Sequence, residues 1–208
     1  MLVVLVIASC GGPANTAYTS AATGTAAATW TFDQDAVGSV PQAAETFAGQ
    51  WTVRAESDTP SKPNALCQVG NATFPSIAMS STVYADLVIT VRFKPISGKE
   101  DQAAGIIFRI QDKDDYYILR ANALEGSVNF YKYAGGSRSD IKDGSAKVVS
   151  GQWQELKVEA TGQALRGFLN GALVVETTDT TYKAGRVGLW TKADSVTCFD
   201  DLTVKPAG

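Results

Sequence analysis

An all-β fold, two antiparallel sheets packed as a sandwich, is the class this sequence predicts. Three observations carry it. Apolar and polar residues alternate with period two over many short stretches, most clearly from Gly105 to Tyr133, GIIFRIQDKDDYYILRANALEGSVNFYKY. Clusters of turn residues separate those stretches. No stretch of useful length has the periodicity of an amphipathic helix, and no internal repeat is visible. Ten or more short strands bury their apolar faces by stacking one sheet on another. A chain of 208 residues is long enough for one sizeable domain of this kind.

The central stretch reads as three consecutive strands. Ile106, Phe108 and Ile110 alternate with Ile107, Arg109 and Gln111, and the turn Asp112–Asp115 follows. Tyr117, Leu119 and Ala121 then alternate with Tyr116, Ile118, Arg120 and Asn122. After Glu125-Gly126, Val128 and Phe130 alternate with Asn129, Tyr131 and Tyr133. One face is apolar. The other collects Arg109, Arg120, Asn122, Asn129 and Tyr131, because successive side chains point to opposite sides of a strand.

The remaining elements follow in order. Trp30–Asp33 and Trp51–Arg54 are short strands, with a loop expected over Gln34–Gly49. Ala65–Val69, a segment from Phe74, and Tyr84–Pro95 come next, the last with Leu87, Ile89, Val91 and Phe93 on one face. Ala134–Lys147 reads as a long loop rich in Gly, Ser and charge. Trp153–Ala160 is a strand, and Leu165–Leu169 pairs with Ala172–Glu176 across Asn170-Gly171, the strongest two-residue hairpin signal. Arg186–Lys192 and Val196–Val204 close the chain.

The opening MLVVLVIASC is too short to span a bilayer, which takes about 20 residues. It fits the apolar region of a secretory signal. Ile7-Ala8-Ser9-Cys10 resembles the bacterial lipobox, in which Cys10 would carry lipid; an ordinary cleaved signal peptide is the other reading. Residues 11–29 are mostly Ala, Thr, Ser and Gly, the composition of a tether, so the domain is expected over 30–205. The expectation is an exported protein of a bacterial cell envelope, touching the membrane only through its lipid.

Bulk charge excludes several functions. A net charge of -3 offers nucleic acid or anionic lipid no general attraction. The absence of histidine removes Ser-His-Asp and Cys-His catalysis and imidazole metal sites. With Cys10 lipidated, Cys67 and Cys198 remain, either as a disulfide or as two buried thiols.

WTFD near the start, GIIFRIQDKDDYYILRA, GQWQELKVEA, the FLNG hairpin, VGLWTKADS and the closing FDDLTV together resemble the concanavalin A-like lectin/glucanase superfamily. More narrowly they are similar to laminin-G-like jelly rolls of bacterial secreted proteins, including the 3-keto-disaccharide hydrolase domains. The resemblance covers about Trp30 to Val204. It implies a jelly roll of two curved sheets, with glycans held on one sheet face, and it leaves activity open.

Trp190 and Lys192 share a phase in GLWTK and can join the polar face. The resulting set is Arg109, Arg120, Asn122, Asn129, Tyr131, Trp190 and Lys192. Aromatic faces cover sugar C–H groups and planar polar side chains bridge hydroxyls, so these are the residue types a carbohydrate site needs. The plainer reading is a solvated face of cross-strand pairs. The resemblance implies a structural Ca²⁺ between the first and last strands, where Asp33, Asp200 and Asp201 stand, and hard oxygen ligands suit it. No other cofactor is indicated. A glycosidase needs carboxyls about 5 Å apart, or a somewhat wider pair. Glu155 and Glu159 would lie roughly 13 Å apart by strand rise, and Glu125 sits in a hairpin loop. The expected function is a non-catalytic carbohydrate-binding module; a sugar hydrolase and a structural or adhesion domain are the alternatives.

Overall fold

The structure is a computed structural model and describes residues 26–207. The predicted signal run, Cys10 and most of the predicted tether lie outside the described residues. Fifteen strands follow one another, and among the described residues every regular element is a strand. They are β1 (Ala28–Trp30), β2 (Glu45–Ala48), β3 (Trp51–Ala55), β4 (Asn64–Gln68) and β5 (Ser76–Ala78). The middle holds β6 (Leu87–Ser97), β7 (Ala103–Asp112), β8 (Asp115–Asn122), β9 (Ser127–Ala134) and β10 (Ser137–Lys142). The last are β11 (Gln154–Thr161), β12 (Ala164–Leu169), β13 (Ala172–Thr178), β14 (Arg186–Trp190) and β15 (Val196–Pro206).

They form the two antiparallel sheets of a jelly-roll sandwich. The seven-stranded sheet runs β10-β9-β8-β7-β14-β5-β2. The eight-stranded sheet runs β13-β12-β11-β6-β15-β4-β3, with β1 added alongside β15. Alternation places Ile106, Phe108, Leu119 and Phe130 of one sheet against Ile89, Val91, Leu156 and Phe199 of the other in a shared core. Each such side chain contributes roughly 1.5–3 kcal/mol by leaving water.

Two strands stand where loops are expected. β2 and β10 are the two edges of the seven-stranded sheet, each pairing on one side only. β10 returns from β9 through Gly135-Gly136, both at positive φ (55° and 78°), the backbone that a two-residue hairpin turn requires. β1 begins at Ala28, ahead of the expected Trp30, because Ala28 already pairs with Val204. Cys67 and Cys198 face one another on β4 and β15 and form a disulfide.

Candidate functional site

The outer face of the seven-stranded sheet gathers six of the seven residues expected there. Register does this. Asn129, Arg120, Gly105, Trp190 and Ser76 lie side by side across β9, β8, β7, β14 and β5. Ser127, Asn122 and Ala103 form the neighbouring row on one side, and Tyr131, Ile118 and Ile107 the neighbouring row on the other. Gly105 is what lets the Trp190 ring lie across β7: a Cβ there would meet the indole at 3.2 Å.

Two polar networks stand at one end of this face. Arg120, only 2% exposed, donates to both Glu125 carboxylate oxygens and, through Nη2, to Ser127 Oγ at 3.0 Å. Ser127 Oγ donates to Glu125 in turn. Burial pushes the Glu125 carboxyl up, but the Arg120 guanidinium, the Ser127 hydroxyl and the Lys192 ammonium outweigh it and hold it below the usual range. In the second network Asn122 Nδ2 donates to Asp101 Oδ1 at 2.6 Å, and Lys192 Nζ lies 2.8 Å from Asp101 Oδ2. Glu125 is 44% exposed and Lys192 about a quarter exposed. Each thus offers water an ionised group whose partner is buried.

Between the networks and the far edge lies an aromatic layer. Trp190 stacks on Phe74 at 5.6 Å, Tyr116 on Tyr133 at 5.0 Å, and Phe74 meets Tyr133 edge-on. The Arg120 and Arg138 guanidinium groups lie 5.1 and 4.5 Å from the centre of the Tyr131 ring. Asn129 Nδ2 donates to the Tyr131 hydroxyl at 3.0 Å. This layer corrects one expectation. Trp190 is fully buried and Tyr131 nearly so, so neither presents a bare ring to a ligand, and Arg120, Asn122 and Asn129, expected in the same binding set, are buried beneath their own partners. The two rings form a floor, and Phe74, Tyr133 and Arg138 lie over it, partly exposed.

Arg109 is the second correction. A bulge in β7 gives it φ of 50° and breaks the alternation after Phe108. Its side chain goes to the end of the sandwich. There Nε donates to Ala85 O at 3.2 Å, Nη1 to Tyr182 O at 3.0 Å, and Nη2 approaches Asp86 at 3.5 Å. It ties loops together and has no part in the outer face. A hollow of about 380 Å³ opens beside it, lined by Asp86, Gln163, Asp179, Tyr182 and Lys183. Its carboxylates serve the fold. Asp86 accepts from Gly162 N. Burial pushes Asp179 up, but hydrogen bonds from Thr181, Tyr117 and Lys132 prevail and hold it at about 2.

The calcium set is the third correction. Asp33 Oδ1 accepts from Asn64 N at 3.0 Å. Asp200 is buried and accepts from Ser61 N, Ser61 Oγ and Asp201 N. Asp201, at φ of 46°, lines a groove on the outer face of the eight-stranded sheet. The three carboxylates do not converge. Among the described residues, one grouping of three ligand-type side chains brings its donor atoms within 4.8 Å of one another, Glu56 with Cys67 and Cys198, and its two sulfurs are joined to each other. Glu155 lines that same outer groove, on the sheet away from the aromatic layer.

Four residues of the outer face fall outside the expected binding set: Asp101, Phe74, Arg138 and Glu125. Glu125 carries a sequence signal, since the Asn122–Ser127 pairing puts it at the tip of the hairpin, where it can reach back to Arg120. Arg138 carries none, because its strand is a polar edge.

The sequence profile of one domain family, described as 3-keto-alpha-glucoside-1,2-lyase-like, matches residues 42–205. The chain belongs to that family. This is the narrower resemblance already visible in the sequence. The chain is also 26% identical over 138 residues to the levanase of Bacillus subtilis (strain 168). The match takes 64% of the chain and 20% of the levanase, so the chain spans about a fifth of that relative's length. Among solved structures, the carbohydrate binding module CBM66 from Bacillus subtilis superposes with a TM-score of 0.66 at 22% identity, over 78% of this chain and 94% of that one. The apo Crh5 transglycosylase gives 0.60 at 13% identity, over 90% and 86%. Identities this low establish the shared fold.

Proposed function

We propose that the outer face of the seven-stranded sheet binds a carbohydrate and does so without catalysis. One observation carries the reading. Glu125, nearly half-exposed, and Lys192, about a quarter exposed, are each anchored by a buried partner beside an aromatic layer. An acceptor and a donor fixed in this way suit vicinal hydroxyls, and the exposed parts of Phe74 and Tyr133 suit sugar C–H groups. The family membership and the likeness to levanase and to CBM66 support a carbohydrate as the ligand, and CBM66 is itself a binding module.

The family description points to a second reading, a lyase of 3-keto-glucosides. A lyase at this face needs a base that takes up a proton near neutral pH. Glu125 is held low by Arg120, which makes it a good acceptor and a poor base. Binding is therefore the reading the face favours. A glycan array with Glu125→Gln and Phe74→Ala tests it. Each variant is expected to weaken the retained glycan at least about ten-fold, which is about 1.4 kcal/mol. Profiles identical to the parent would reject this face.

Export to a bacterial cell envelope, with a lipid on Cys10, belongs to the same reading. The MLVVLVIASC run supports it, as does a disulfide, which persists in oxidising compartments. Metabolic labelling with a fatty acid, lost in Cys10→Ala, checks it; equal labelling of both would remove the lipid.

A further inference from the structure

The cations that line the outer face are paired, with one exception. Arg120 has Glu125, Lys192 has Asp101, and Arg186 at the far edge has Glu45. Arg138 stands on the edge strand β10 opposite Tyr133, and its side chain has neither a hydrogen bond nor an ion pair among the described residues. Asp140, two positions along the same strand, does not reach it. The Arg138 guanidinium is instead held by two rings, 4.5 Å from the centre of Tyr131 and 5.1 Å from that of Phe74. Its Nη1 is enclosed with no acceptor, whereas Nε and Nη2 are not enclosed and have no partner among the described residues, so the Nε–Nη2 edge is the side of the fork a ligand can meet.

Aromatic faces orient a guanidinium and strip part of its water, but they accept no in-plane hydrogen bond. The fork is thus pre-positioned and unanswered. A planar fork of N–H donors is matched by a planar pair of acceptor oxygens, and a carboxylate supplies them bidentately. Glu125 stands on the same face, ionised and half-exposed, and accepts from hydroxyls. A ligand with hydroxyls at one end and a carboxylate at the other meets both groups with the correct sign. A neutral sugar meets only one.

We infer that Arg138 receives a carboxylate, and that the saccharide taken by this face is a uronate. The inference rests on the proposed function of the same face and names its ligand class. The chain's net charge of -3 gives an anionic ligand no long-range attraction, so the preference must come from the short-range fork.

Isothermal titration with oligogalacturonate and oligomannuronate, each beside its carboxyl-reduced neutral product, tests it. At least one acidic form is expected to bind ten-fold or more tighter than its neutral counterpart. Arg138→Gln should bring the acidic form down to the neutral level and leave the neutral form unchanged. Arg138→Lys, which keeps the charge and loses the fork, should fall between. Melting temperatures near the parent value certify that the variants fold. Equal binding of acidic and neutral forms, or equal weakening of both by Arg138→Gln, overturns the inference. If a neutral sugar binds, no acidic form binds tighter than its neutral counterpart, and Glu125→Gln abolishes that binding, the binding reading stands and the uronate falls. If neither these saccharides nor any glycan on an array binds, both fall.

Discussion

The two outer faces of the sandwich each hold a tryptophan, and they treat it differently. On the eight-stranded sheet Trp153 packs beside Ala65, Val69 and the Cys67–Cys198 disulfide. Lys94 caps it, 5.3 Å from the ring, and is itself tied to Asp58 at 2.7 Å and to Glu56 at 3.8 Å. Lys157 lies over Phe168 and pairs with Glu159. Charge on that face is largely neutralised in place. On the seven-stranded sheet Trp190 is covered by Phe74, and the guanidinium beyond it, Arg138, is left unanswered. A face that closes its own charges is finished by folding. A face that leaves a fork and a half-exposed carboxylate has something left to bind.

The largest effect expected from this contrast is on stability alone. Replacing both Cys67 and Cys198 by alanine removes a covalent tie between β4 and β15, and such ties are typically worth about 2–4 kcal/mol. Urea unfolding should show that loss, while glycan affinity stays at the parent value, because the disulfide lies on the finished face. An affinity that fell with stability would break the contrast between the faces.

What could be read from the sequence divides along the same physical line. Strands buried on at least one side, such as β6, β8 and β11, show period two because one side chain in two must leave water. The two strands that escaped, β2 and β10, are edges with few apolar residues, Phe47 and Ile141 being the ones that pack against an apolar cluster, so little imposes alternation. Arg120, Asn122, Asn129, Tyr131 and Trp190 were legible as one face because register carries parity from strand to strand. Arg109 was not, because one residue in a left-handed conformation shifts the phase. Burial of the aromatic floor was not legible either. It depends on Phe74, which reaches the face from outside the strands, and on Arg138 from the unseen edge.

A smaller effect separates binding from catalysis. The Glu125 carboxyl titrates below its ordinary value of 4.5 in the folded protein. The stability it lends is fully present above that value and drains away as pH falls through the lower folded one. Its exposure keeps that contribution small, so affinity is the better readout. Affinity should stay level from pH 7 down to about 4.5 and fall below it, and Glu125→Gln should flatten the profile. The Asp58 carboxyl on the other face is also held low, by its hydrogen bond from Lys94, and it should leave affinity untouched. Loss of affinity already between about pH 7 and 5.5 would point to a proton-accepting group on the face, and so to the lyase.

The smallest effect is the most discriminating. Arg92 also has an enclosed guanidinium nitrogen without a partner, its Nε, and it lies on the finished face. Its groove is shared with Thr90, Glu155, Asp201 and Thr203, and no ring holds it in place. Two carboxylates line that groove, so the local field is compensated even without a close ion pair. Arg92→Gln should change stability by no more than about 0.5 kcal/mol, the usual scatter for a surface substitution. It should leave saccharide affinity where it was. Arg138→Gln alters the same atoms in a setting of rings and should weaken the acidic ligand. If the two variants lost affinity alike, a missing partner would not be what marks a binding face here, and the contrast between the two sides of the sandwich would have to rest on Glu125 and Lys192 alone.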